Sequence, residues 1–151
     1  MKTIIAVTIF GILMNAFAQE SKKQGCNHKA MKRFDSTKYL KMSPIYETHT
    51  EKASFPIICR VIETKQQPSE GTVDITTYGY YQYNGKMHYS EGQCTVTVQS
   101  MEGGQFSGEC KITNDTLMPN PANYKDVVFT VYTSVIDTDY ENYAILYRCL
   151  D

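Results

Sequence analysis

The chain has no tryptophan and only 3 histidines in 151 residues. Those histidines, His28, His49 and His88, fall in different segments. With no H-x-x-x-H and no C-x-x-C spacing, a metal cluster finds no ligand set. G-x-S-x-G is missing, as is a glycine-rich phosphate loop, so neither a hydrolase elbow nor a nucleotide cradle is encoded. Charge of one sign is lacking too. Lys and Arg number 15 against 16 Asp and Glu, a net −1, which argues against the basic face that nucleic acid requires. No segment has the roughly 20 apolar residues that span a bilayer. No internal repeat or low-complexity stretch divides the chain.

What is present begins with a leader. "MKTIIAVTIFGILMNAFAQE" carries Lys2, then an apolar run from Ile4 to Met14, then Ala16 and Ala18 one residue apart. A charged start, a short apolar middle and an A-x-A site describe a secretory signal over residues 1–18. The expected mature domain, residues 19–151, has the length of a single domain. Loss of Lys2 leaves it slightly more acidic. The five cysteines, Cys26, Cys59, Cys94, Cys110 and Cys149, then enter an oxidising compartment and should pair. Their odd number leaves one free, intermolecular or with its partner elsewhere. A Cys59–His thiol nucleophile is conceivable, but a half-cystine is the stronger reading, and no catalytic constellation remains. The protein reads as a non-enzyme.

After a polar, basic arm with a short helix, the pattern turns to period two. "SPIYETHT" and "FPIICRVIET" read as strands, and "GTVDITTYGYYQY" alternates residues that suit a pleated surface. Asn84-Gly85 between alternating runs specifies a type I′ turn, so Gly79–Tyr83 and Lys86–Tyr89 form a hairpin. "CTVTVQSMEGGQFSGEC" forms a second, turning near Gly103-Gly104. "VVFTVYTSVIDTDYENYAILYRC" forms a third, turning through Asp137, Thr138 and Asp139. "TNDTLMPNPANYKD" between them is a loop by composition. About eight short strands joined by tight turns, without a long helix, predict an all-β sandwich or up-and-down barrel. Consecutive hairpins favour the meander, whose closure removes exposed edges. If the second hairpin turns around Glu102, Cys94 lies opposite Cys110, within disulfide reach. That bond would contribute about 3 kcal/mol by limiting the unfolded chain.

Four stretches carry a resemblance: "YGYYQYNGKMHY", "GQCTVTV", "FSGECKI" and, most specifically, "DTDYENYAILYRC". Together they resemble the salivary lipocalins of blood-feeding triatomine bugs, the triabin and pallidipin group. The last fits that family's D-Y-x-x-Y-A-[IL]-x-Y-x-C strand without a gap from Asp139 to Cys149, and the likeness spans Phe34 to Cys149. It implies an eight-stranded antiparallel up-and-down lipocalin barrel. It implies a Cys26–Cys149 bond beside Cys94–Cys110. Family members continue past Cys149 with a wall-packed helix and a final cysteine that pairs with the Cys59 position. Cys59 is therefore expected unpaired here, and the domain C-terminally incomplete. The family's G-x-W is replaced near Ser43-Pro44-Ile45, so another apolar plug must close the floor. The haem-carrying branch has a histidine near Tyr81 or Gln82; none stands here, and no cofactor is expected.

The same resemblance implies a secreted, extracellular salivary protein that impairs haemostasis by holding a small amphipathic host mediator. That mediator is a thromboxane-like eicosanoid or a biogenic amine. The alternative is inhibition of a clotting protease such as thrombin through outer loops, with Met101–Gln105 and Lys111–Lys125 as candidates. The protein is expected to be monomeric, with no membrane or nucleic-acid partner. Candidate ligand residues come from 12 tyrosines and 6 phenylalanines. Most such rings are ordinary strand residues, yet Tyr78, Tyr80, Tyr81, Tyr83 and Tyr89 crowd one hairpin, and rings with hydroxyls suit a lipid with a polar head. If the third hairpin turns around Asp139, Phe129 lies opposite Cys149 and shares a face with Tyr147; both are candidates. Arg148 falls on the other face, as a surface charge or a counter-ion for a ligand carboxylate. Asn114-Asp115-Thr116 is an N-glycosylation sequon.

Overall fold

The computed structural model describes residues 26–51 and 56–150. The expected signal segment and its cleavage point lie outside the described residues. Seven antiparallel strands follow one another in chain order as a single meandering sheet: β1 (Ile45–Glu47), β2 (Ile57–Gln67), β3 (Thr72–Tyr83), β4 (Lys86–Thr97), β5 (Gln105–Asp115), β6 (Val128–Thr138) and β7 (Ala144–Leu150). The sheet curls into a half-barrel. Among the described residues no ladder joins β7 back to β1. The expected all-β up-and-down architecture is present with one strand fewer. Lys86–Tyr89 and the run from Cys94 are one continuous strand, because Gly92 does not break β4. It pairs with Thr77 on one side and Ile112 on the other, and a side chain there would sit 3.3 Å from the Lys111 carbonyl.

The first hairpin turns on Asn84 and Gly85, both with positive φ (48° and 73°), and its register runs unbroken from Tyr83↔Lys86 to Thr72↔Thr97. The second brings Cys94 opposite Cys110, and those cysteines are bonded. The third departs from expectation. β6 continues through Thr138, and Thr133 pairs with Arg148, Val135 with Leu146. The cause is local. The Asp139 carboxylate accepts the backbone N–H groups of Glu141, Asn142 and Tyr143 at 3.0, 2.8 and 3.2 Å, and Tyr140 takes φ 66°. The turn is thus centred beyond Asp139 rather than on it. Because strand side chains alternate, this odd slip exchanges the two faces of β7.

One end of the half-barrel is plugged. Asp35 caps a single helical turn, α1 (Ser36–Tyr39), by accepting from the Lys38 N–H, and a 3-10 turn over Leu40–Met42 follows. Tyr39 and Leu40 bury against Val73, Val96, Met101, Phe106 and Val135. Phe34 stacks between Tyr39 and Tyr140, with ring centroids 5.4 and 6.2 Å apart, and the Tyr140 hydroxyl accepts from the Asp35 N–H at 2.8 Å. An aromatic cluster does what an indole would have done. Residues 26–31 run back over the outside of β5–β7. Cys26 is bonded to Cys149, Met31 N–H reaches the Val135 carbonyl at 2.9 Å, and His28 packs on Tyr147 with centroids 5.2 Å apart. Cys59 is free and exposed on β2.

Candidate ligand site

The inner face is defined by the residues that line the concave interior: Tyr39, Ile62, Thr64, Ile75, Val96, Phe106, Leu146 and Arg148 among them. Cross-strand pairing extends it. Arg60 stands opposite Gly79, Gly79 opposite Ser90 and Ser90 opposite Asp115, with Glu47 beside Arg60 on β1. Gly79 is obligatory at this point. Its φ is +156°, and a Cβ would lie 2.0 Å from the Cys59 carbonyl oxygen. That close approach lets β2 and β3 stay paired past the irregularity between Ile57 and Cys59.

The parity of the register sorts the candidate residues. Tyr81 points inward. It is 9% exposed, and its hydroxyl donates to the Asp115 carboxylate at 3.1 Å. Burial, reinforced by that carboxylate, pushes the phenol up to about 12. Tyr83 shares the inner face but sits at the hairpin end, near His88. Phe129 also lies inward, packed with Val131 against the Cys94–Cys110 bond. Tyr78, Tyr80 and Tyr89 are on the outer face. Tyr78 donates to Glu63 at 2.9 Å and Tyr89 to Glu91 at 3.0 Å, while Tyr80 meets Tyr89 edge-on at 5.5 Å. Tyr147 is corrected likewise. The displaced turn puts it on the outer face, opposite Ser134, beside Tyr132 and under the N-terminal arm.

The same slip turns Arg148 inward, which the placement of the turn on Asp139 had obscured. Burial, then the like charge of Arg60, holds its guanidinium below the usual arginine range, with Glu47 and Tyr39 opposing. Arg60 takes the carboxylate directly, Nη1 to Glu47 Oε2 at 3.4 Å. Arg148 has no ion-pair partner among the described residues. The partly open space beside it measures about 30 Å³, room for about one water. An open groove of about 330 Å³ lies on the outside of β4 and β5, along Gln93, Thr95, Glu109 and Lys111. Of the two loops weighed for protein docking, Met101 is wholly buried in the plug, and Asp115 is 6% exposed at the end of β5. Glu102, Gly103 and most of residues 116–125 are exposed. No group of three or more His, Cys, Asp or Glu among the described residues is placed to hold a metal ion.

A curled antiparallel meander, plugged at one end, disulfide-tied and lined by apolar residues around a half-buried arginine, is a lipocalin-like architecture. The Triabin family model matches residues 17–151, and the chain belongs to that family. It is 39% identical to pallidipin of Meccus pallidipennis over 149 residues, 99% of this chain and 73% of that protein. It is 34% identical to the platelet inhibitor triplatin-2 of Triatoma infestans, covering 99% and 75% of the two. To triabin of Meccus pallidipennis it is 30% identical, covering 99% and 82%. No solved structure matches the chain.

Proposed function

We propose that this protein is secreted in saliva and impairs host haemostasis by sequestering a small amphipathic mediator with an anionic head, of the thromboxane-like eicosanoid class. The observation that carries the reading is Arg148: a half-buried guanidinium without an ion-pair partner among the described residues, lining an apolar interior. Both inward carboxylates are already engaged, Glu47 by Arg60 and Asp115 by Tyr81 and the Leu117 N–H. An amine would find no free counter-ion, whereas a carboxylate would find one. A relative bearing the name platelet inhibitor supports the physiological direction. The mechanism is stoichiometric, so affinity must match nanomolar mediator, about −12 kcal/mol.

A space for one water does not hold an eicosanoid, so the wall must yield on binding. The yielding parts are those with the fewest ladder bonds: the three residues of β1 and the unpaired side of β7. Calorimetric titration with a stable thromboxane mimic, a biogenic amine and thrombin in parallel tests the reading. One-to-one lipid binding with silence from the other two supports it. Heat with the amine or thrombin and none with the lipid overturns it.

A further inference from the structure

We propose that Asn114 carries an N-linked glycan, and that this glycan covers the outer wall of β4 and β5 and withdraws it, with the adjoining 116–127 connection, from protein docking. The inference rests on the secretory passage proposed above. The chain has a single N-x-S/T sequence, and the end of β5 divides its three residues. Asn114 is exposed opposite Glu91. Asp115 turns inward to Tyr81. Thr116 is tied to β4, its N–H on the Tyr89 carbonyl at 3.0 Å and its Oγ1 accepting from the Tyr89 N–H at 2.8 Å.

Asn114 is exposed at the acceptor position, and no side-chain hydrogen bond engages its amide among the described residues. Glu91, its cross-strand neighbour, already accepts the Tyr89 hydroxyl and the Thr113 hydroxyl at 3.0 and 3.1 Å. A bulky, solvated modification on an exposed outer position disturbs no packing. Its nearest surroundings suit a sugar. Tyr89 lies two residues along β4 on the same face, and Tyr80 continues the aromatic surface at 5.5 Å. Tyr80 is 51% exposed and Tyr89 half-buried, and ring faces open to solvent pack the C–H face of a pyranose, so the glycan would lie along the strands rather than away from them.

The test is expression with the native leader in insect cells, comparing the secreted wild type with Asn114→Gln. The expected result is a wild type heavier than its polypeptide, with the excess removed both by peptide N-glycosidase A and by the substitution. Surface labelling of tyrosines should be slower at Tyr89 and Tyr80 in the wild type than in Asn114→Gln, and equal at Tyr46 on the far edge of the sheet. A secreted wild type at polypeptide mass overturns the proposal while leaving secretion intact. A protein retained in cells at polypeptide mass overturns the secretory premise and the site with it. Equal labelling of Tyr89 in a glycosylated protein overturns the shielding.

Discussion

Arg148 shows how function and stability pull apart at a single residue. A half-buried charge with no ion pair among the described residues gains little to offset its desolvation, and replacing such a group with an apolar side chain of similar size is often neutral or stabilising. Arg148→Met should therefore keep or raise the Tm, measured by calorimetry, while weakening the lipid mimic by about 3 kcal/mol, roughly a hundredfold in Kd. A variant that loses Tm and affinity together would mark Arg148 as structural. Two phenols give a pH signature. Tyr39 and Tyr81 are both pushed up to about 12 by burial, above the ordinary value of 10.0. The unfolded chain then releases these protons first. Their contribution is complete below pH 10 and is lost as pH rises toward 12. Urea titrations at pH 9 and pH 11.5 should show lower stability at the higher pH, with a smaller drop in Tyr81→Phe.

The third hairpin decides which residues form the site. Its turn depends on Asp139, whose carboxylate is held well below the usual range by the Asn142 side chain and by backbone N–H groups. A depressed carboxylate stabilises the fold above its unfolded value and loses that contribution as pH falls through the folded one. Asp139→Ala should lower the Tm at neutral pH and flatten the acid limb of the stability profile. Amide exchange at Glu141, Asn142 and Tyr143 should quicken. The hairpins with simple turn chemistry were legible in the sequence. Asn84-Gly85 and the Cys94–Cys110 register stand as read, because a glycine turn or a cross-strand pair fixes the pairing locally. The third turn was not, since side-chain capping by Asp139 displaces its centre, and an odd displacement sent Tyr147 outward and Arg148 inward. Outward tyrosines on β3 were illegible for another reason. Tyr78 and Tyr80 suit either face of a strand, and only the neighbours, Glu63 outside and Val73 inside, separate the two. Gly79→Ala tests the close approach of β2. With no room for a Cβ beside the Cys59 carbonyl, it should cost about 3 kcal/mol or more in chemical denaturation.

For the molecule as a whole, the two disulfides differ in reach. Cys94–Cys110 spans 16 positions and Cys26–Cys149 spans 123. Loop-closure entropy assigns about 3 kcal/mol to the shorter and about 5 kcal/mol to the longer. The double variant Cys26→Ser, Cys149→Ser should accordingly lose more stability in denaturant than Cys94→Ser, Cys110→Ser. The long bond has a further consequence, in the order of biosynthesis. On the secretory route proposed above, a chain threading into an oxidising lumen would expose Cys94 and Cys110 within moments of each other, so their bond could close while synthesis continues. Cys26 emerges early and must wait for Cys149, after every strand of the meander has been made. Throughout that wait Cys59 is a reduced competitor, and the arm is anchored correctly only if the sheet curls before the wrong thiol finds Cys26.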